Sequence, residues 1–202
     1  MEPVQINGHE AVDLGLSVKW ATCNIGATTP TEYGNYYSHG ETTTKNKYDW
    51  DTYKWCNGDR DMLTKYCADY ESGDVDYLTT LTASDDAATV NWGKKWRTPT
   101  KKEYEELLRK CTLKWVQRNK VNGCLVTGPS GKSIFLPASG FRNLTNLRNA
   151  GDCGAYHTAT LDSEGDNNCA YVFSFDKEKT TDEWGIYWGL RCFGFTVRPV
   201  TE

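Results

Sequence analysis

The chain has 202 residues and a formal net charge of −4, with 8 Trp and 12 Tyr set against a low mean hydropathy. That length suits one large domain or two small ones, and one domain of this size buries most of its apolar surface without metals or crosslinks. The mild acidity and the lack of a Lys/Arg stripe argue against nucleic acid as partner, and no apolar run approaches the ~20 residues of a membrane span.

The opening Met1-Glu2-Pro3-Val4-Gln5 carries no basic-then-apolar signal pattern, which leaves a cytosolic location, another export route or a removed leader open. The 8 cysteines form no CxxC pair, so a zinc ribbon or thioredoxin-type motif is not expected. Cys56 and Cys67 are spaced so that they could bridge, but free buried or half-buried thiols are the favoured state.

Taken in chain order, Val12, Leu14, Leu16, Val18 and Trp20 alternate with Asp13, Gly15, Ser17, Lys19 and Ala21, which predicts one half-buried antiparallel strand. From Asn24 to Tyr77 polar and aromatic residues mix without a period, which predicts a long loop region held together by its own rings. Ser84 to Gly93 reads as a short helix capped by Ser84, favoured by Asp85 and Asp86 at its positive end and stopped by Gly93. A second helix starts at a Thr100–Glu103 capping box and carries Tyr104, Leu107, Leu108 and Cys111 on one face. Gly123 to Pro137 reads as strand, turn and strand, with Gly128-Pro129-Ser130-Gly131 as the turn. Tyr171, Phe173 and Phe175 alternate on one strand, and Phe193, Phe195 and Val197 on the last. With no internal repeat or linker, residues 1–202 read as a single α+β domain.

The segment from Glu183 to Phe195 is the most informative. Trp184, Tyr187, Trp188 and Phe193 are interleaved with Gly185, Gly189 and Gly194. So many glycines exclude a helix interior, and the absence of strict alternation before Gly194 predicts a loop. Rigid rings on a glycine-jointed surface loop offer large contact area at small rotamer cost, which is what a recognition face requires.

Other motifs reduce to structure. Gly128-Pro129-Ser130-Gly131-Lys132-Ser133 resembles the end of a phosphate loop, but Val126 stands where Gly is needed and a strand follows. Asp59-Arg60-Asp61 and Asp74-Val75-Asp76 do not continue into a calcium loop, so they read as solvated charge. His9, His39 and His157 lie at no metal-ligand spacing from one another, so no metal and no cofactor is expected. A Cys153–His157 nucleophile pair has no support beyond its residue types. Asn143-Leu144-Thr145 fits a glycosylation sequon.

Val12-Asp13-Leu14-Gly15-Leu16-Ser17-Val18-Lys19-Trp20-Ala21-Thr22-Cys23-Asn24-Ile25-Gly26-Ala27 resembles the opening of the Fibrobacter succinogenes major paralogous domain, a domain of gut-bacterial surface proteins. Further blocks match the same pattern in order: Glu32-Tyr33-Gly34, Gly40-Glu41-Thr42, Asp85-Asp86-Ala87-Ala88 through Trp92-Gly93 to Trp96-Arg97-Thr98-Pro99-Thr100, Ser133 to Arg142, and Gly194 to Val200. The resemblance covers nearly the whole chain. It implies a C-type-lectin-like fold of the formylglycine-generating-enzyme variant, with paired terminal strands and two helices packed on twisted antiparallel sheet. Arg97 to Glu103 echoes that variant's Arg-x-Pro-Thr-x-x-Glu helix start.

Proteins with a similar ending include the variable proteins of diversity-generating retroelements, in which adenine-directed mutagenesis alters ligand-facing codons before the final strand. Cys153, His157, Ile186, Leu190 and Cys192 stand here where relatives often carry Tyr, Trp or Ser. The calcium-binding sugar motifs of C-type lectins are absent, and the cysteine pair of the formylglycine-generating enzymes has no counterpart that can be placed. The expectation is a non-enzymatic ligand-binding or adhesion domain whose variable face lies within residues 142–193. Leu144, Asn146, Leu147, His157, Trp184, Ile186, Tyr187, Trp188, Leu190 and Phe193 are its expected ligand-binding residues. The expected partner is a protein or glycan on another cell or particle. The expected location is extracellular or at the cell surface, or a phage particle, as a monomer or a subunit of a surface fibre. The alternatives are a structural module of a pilus or phage fibre, and a formylglycine-generating-type enzyme holding copper on two thiols.

Overall fold

The computed structural model describes residues 4–161 and 166–202. The chain enters through β1 (Val4–Ile6), β2 (His9–Val12) and β3 (Lys19–Ala21). The Val12–Trp20 run, expected as one strand, is thus two strand ends joined by a bend. Gly15 sits at φ +80°, and the Leu14 carbonyl accepts the Ser130 amide at 3.1 Å, so the bend docks on a distant turn and leaves the ladder. The inward alternation survives: Val12, Leu14, Val18 and Trp20 are all buried.

The stretch from Asn24 to Tyr77 holds no regular strand or α-helix, as expected. The tyrosines there close the region from within. Tyr36 Oη donates to Ser139 O at 2.6 Å, Tyr48 Oη to Tyr36 O at 2.7 Å and Tyr53 Oη to His39 O at 2.8 Å. Arg191 is fully buried there; its guanidinium donates to the carbonyls of Lys65, Tyr66 and Asn167 and to Tyr53 Oη. Cys56 and Cys67 lie buried in the same region as free thiols, not as a bridge.

Helix α1 (Ala87–Trp92) is capped by Asp86, not by Ser84. The Asp86 carboxylate accepts the amides of Ala88, Thr89 and Thr98 and the Thr98 hydroxyl, a set that a serine hydroxyl cannot match. Asp85 leaves the helix altogether and pairs with Lys65 at 2.6 Å. Gly93, at φ +92°, ends the helix. Helix α2 (Lys101–Lys110) begins at the Thr100–Glu103 capping box, and Arg97 grips the Glu103 carboxylate with both terminal nitrogens at 2.8 and 2.6 Å.

Strands β4 (Thr112–Arg118), β5 (Val121–Thr127) and β6 (Ser133–Pro137) form an antiparallel meander, with the expected turn between the last two. A short hairpin follows, β7 (Phe141–Asn143) and β8 (Asn146–Arg148). Then β9 (Cys153–Leu161), β10 (Cys169–Asp176) and β11 (Gly185–Leu190) build a three-stranded antiparallel sheet with β10 in the middle. The expected strand through Phe193, Phe195 and Val197 is replaced by single bridges, Arg142 to Gly194, Tyr37 to Phe195 and Tyr156 to Thr196. Only β12 (Val200–Thr201) is regular, and it pairs with β3. The run expected as the first strand therefore pairs with the last through Trp20 and Val200, in a sheet of order β1-β2-β3-β12 whose opposite edge is β1.

The architecture is α+β, with mostly antiparallel sheets and two α-helices among the described residues. Tyr104 and Leu107 of α2 enter the main core with Trp20, Leu136, Phe173 and Phe175. Tyr104 stacks on Phe173 at 4.8 Å, and full burial of each such side chain is worth about 1.5–3 kcal/mol. Among the described residues no helix is long and apolar enough to cross a membrane.

Candidate functional site

The segment 185–190 forms a strand and not the expected loop, because every residue of it pairs with β10, from Ser174–Gly185 to Cys169–Leu190. Strand geometry sends alternate side chains to opposite faces. Gly185, Tyr187 and Gly189 therefore share one face, and Ile186, Trp188 and Leu190 the other. The glycines that obscured the alternation lie on the Tyr187 face. Gly189 is required there, since a Cβ would stand 2.7 Å from Val172 Cγ2 and 2.8 Å from Phe195 Cζ.

The Tyr187 face continues across the sheet by register, through Val172, Ser174 and Asp176 of β10 to Cys153, Ala155 and His157 of β9. Phe195, Phe141 and Phe193 lie against it; Phe141 and Phe193 stack at 5.8 Å, and Phe141 and Phe195 are 5.9 Å apart. What remains open is a cleft of about 400 Å³ with an apolar floor (Ala155, Val172, Phe195) and Tyr187 as one wall. That volume falls in the range of small-molecule sites.

Tyr187 is 40 % exposed, and two contacts fix its ring. Its hydroxyl donates to Glu183 O, and Lys179 Nζ stands 5.1 Å from the ring centroid. The Glu183 carboxylate is held below its ordinary range by the Thr180 amide and hydroxyl, so it is ionised at neutral pH. Asp176 and Ser174 add polar groups to the lining. The rim thus carries charge of both signs around an apolar floor.

Trp184, Trp188 and Leu190 also contribute to the lining of this cleft, but their side chains are anchored differently from Tyr187. Trp188 is 69 % exposed, but it pairs with Tyr171 on the opposite face, where Lys101 Nζ of α2 covers the Tyr171 ring at 3.8 Å. Ile186 packs partly buried on the main core and Leu190 on the cluster around Tyr53 and Cys67. Trp184 is only 5 % exposed. It closes the core beside Phe175 at 5.6 Å and donates from Nε1 to Asp176 O at 2.9 Å. Neither its ring nor Ile186 forms an outward recognition face.

His157 is also corrected: it lies on the cleft side of β9 but under the Phe195 ring, 5.1 Å away and edge-on, and is 3 % exposed. Its Nε2 meets Tyr37 O at 2.7 Å. Burial lowers its pKa to about 4, so the ring is neutral at pH 7. Cys153 and His157 sit four residues apart on one strand, about 13 Å, and make no nucleophile pair. Burial first, then Asp176 and Asp152, push the Cys153 thiol up to about 11, which leaves it protonated.

Leu144, Asn146 and Leu147 are exposed on the β7–β8 hairpin. They flank the cleft without lining it. Phe193 does line it, half-buried. Sequence reasoning missed Phe141, Ala155, Val172, Ser174 and Phe195 as cleft residues, since they meet only through strand register. The Phe173–Phe175 alternation did assign Val172 and Ser174 to a common opposite face.

Among the described residues no group of three or more His, Cys, Asp or Glu is arranged to hold a metal ion. The fold and cleft define an α+β protein with a preformed, ligand-sized opening beside an aromatic edge strand. Comparison with family models, curated proteins and solved structures yields no match.

Proposed function

We propose that the chain is a non-enzymatic ligand-binding domain of C-type-lectin-like fold, a variable protein of a diversity-generating retroelement working in adhesion at a cell surface or on a phage particle. The single observation that carries the reading is the cleft between Tyr187 and the Phe141–Phe193–Phe195 cluster. Its apolar floor, aromatic wall and mixed-charge rim suit a ligand with one apolar or ring face and polar edges, on a protein or a glycan. Burial of two or three such faces contributes a few kcal/mol before the cost of association is subtracted. The protonated Cys153 thiol and the neutral, covered His157 favour binding over covalent chemistry.

The test applies the protein to arrays of neutral oligosaccharides and of aromatic peptides, beside Tyr187→Ala and Ser174→Phe, which removes the wall or fills the floor. A loss of about tenfold or more in both variants, with melting temperatures unchanged, is the expected result. No binding by the wild type, or equal binding by all three, overturns it. A reverse transcriptase gene nearby, with an imperfect copy of this gene's 3′ end differing at adenines, is the expected genomic setting.

A second reading, a structural module of a pilus or phage fibre, is favoured by the strand Gly185–Leu190. It is a sheet edge without a charge or a proline, and edges of that composition pair with other chains. A concentration-dependent rise in solution mass supports that reading, and a monomer at high concentration excludes it.

A further inference from the structure

A second cleft, of about 530 Å³, opens at the β7–β8 hairpin and shares no lining residue with the Tyr187 cleft. Arg142 stands in it with its guanidinium carbon 5.2 Å from the centroid of the buried Tyr36 ring. Stacking engages the face of a guanidinium and leaves its N–H edge free to donate. Among the described residues no carboxylate pairs with that edge and no acceptor takes a hydrogen bond from it. The other cation of the cleft is already neutralised: Lys45 Nζ binds Glu41 Oε1 at 2.8 Å and Thr52 O at 3.0 Å. Arg142 is therefore the one uncompensated charge in a concave site.

The rest of the lining is polar and unspent. Among the described residues, Thr44, Asn46 and Thr145 find no side-chain hydrogen-bond partner. Hydroxyls and amides of this kind suit a ligand bearing several hydroxyls.

The walls are fixed in advance. Tyr48 and Leu144 exchange both main-chain hydrogen bonds at 2.9 Å, and Tyr48 Oη donates to Tyr36 O at 2.7 Å. Leu144 is held at φ +54°, a conformation a leucine adopts only when its surroundings impose it. The hairpin is thus clamped to the same tyrosine pair that seats Arg142, which reduces the ordering lost on binding.

We infer that the cleft formed by Arg142, Tyr36, Thr44, Asn46 and Thr145 binds a carboxylate-bearing sugar. The guanidinium edge takes the carboxylate through paired N–H donors, and the threonines and asparagine take the ring hydroxyls. This site stands independently of the Tyr187 cleft, so either can fail alone.

The test follows amide and Arg Nε–H signals of ¹⁵N-labelled protein during titration with D-glucuronate, D-glucose or acetate. Saturable shifts at Arg142, Asn46 and Thr145 with glucuronate, at a Kd of order 1 mM, are expected. Glucose and acetate should bind about tenfold more weakly or worse. Arg142→Gln should abolish the glucuronate response, and Arg142→Lys, which keeps the charge but not the fork, should weaken it several-fold while preserving the fold. Lys114→Gln, the same charge change on exposed β4, should leave it intact. Absence of saturable shifts, shifts centred elsewhere, or an unaffected Arg142→Lys protein overturns the assignment. Equal affinity for acetate overturns the sugar component, and equal affinity for glucose overturns the role of Arg142.

Discussion

Two aromatic regions of this chain look alike in sequence and behave differently in the fold. Residues 33–66 and 184–195 both set large rings among glycines without a clear period. In the first, Tyr36, Tyr37, Tyr48, Tyr53 and Tyr66 are all buried. Tyr36, Tyr48, Tyr53 and Tyr66 each send the hydroxyl to an acceptor twelve or more residues away, as in Tyr66 Oη to Asp85 Oδ2 at 2.6 Å. In the second, Tyr187 donates four residues back to Glu183 O and stays open to solvent. The destination of the hydroxyl separates the two roles. A buried tyrosine must satisfy its O–H, and a distant acceptor makes it a tie between chain segments. A local acceptor merely steadies a surface ring.

The comparison breaks most visibly at Arg191, which holds the first region together. Arg191→Met leaves the buried Tyr66 carbonyl, the partly buried carbonyls of Lys65 and Asn167 and the Tyr53 hydroxyl without their donor. A loss of about 4 kcal/mol or more in urea unfolding is expected, since each orphaned buried group costs about 1–3 kcal/mol. A loss below about 1 kcal/mol would mean that the region is held by its rings alone.

Acidification should come next. His157 is neutral in the fold because burial depresses its pKa to about 4, and His39 is lowered well below its ordinary range by burial, His157 and Arg191. Among the described residues no hydrogen bond of good geometry reaches either ring nitrogen of His39. The unfolded chain takes up protons near pH 6.5 and the folded chain does not. Stability is therefore complete above about pH 6.5 and falls as pH drops toward 4, by on the order of 3 kcal/mol for His157. His157→Gln should flatten the stability profile in that window; an unchanged slope would place the proton uptake elsewhere.

Smaller effects separate the regions further. Tyr53→Phe removes a hydroxyl that donates to His39 O and accepts from Arg191 Nε at 3.0 Å, for a loss of about 1–2 kcal/mol. Tyr187→Ala should change stability by less than about 1 kcal/mol, because its ring is partly exposed and its ties are local. If Tyr187→Ala unfolds the protein as readily as Tyr53→Phe, the two regions do not differ in role.

Much of the frame was legible. The Thr100–Glu103 capping box and the turn at 128–131 follow from local chemistry, which sequence displays directly. The aperiodic stretch from Asn24 to Tyr77 was readable as a loop for the same reason. The cap of α1 was misjudged because Asp86 gains Thr98, twelve residues away, as a partner. The site was legible only in part. Tyr187, Trp188 and Phe193 all contribute to the cleft, but strand pairing sets Trp188 opposite Tyr171, and Phe195 arrives to cover His157. Leu144, Asn146 and Leu147 are exposed, yet no local pattern shows that their hairpin opens on a different cleft from Tyr187. Register and long-range covering are properties of the assembled sheet, and period counting does not contain them.

A structure of the protein bound to the strongest array ligand tests the account most directly. The ligand should lie between Tyr187 and the Phe195 ring, above Val172 and Ala155, with its polar edge toward Ser174 and Glu183. A ligand seated instead on the Trp188 face, with the cleft empty, would contradict it.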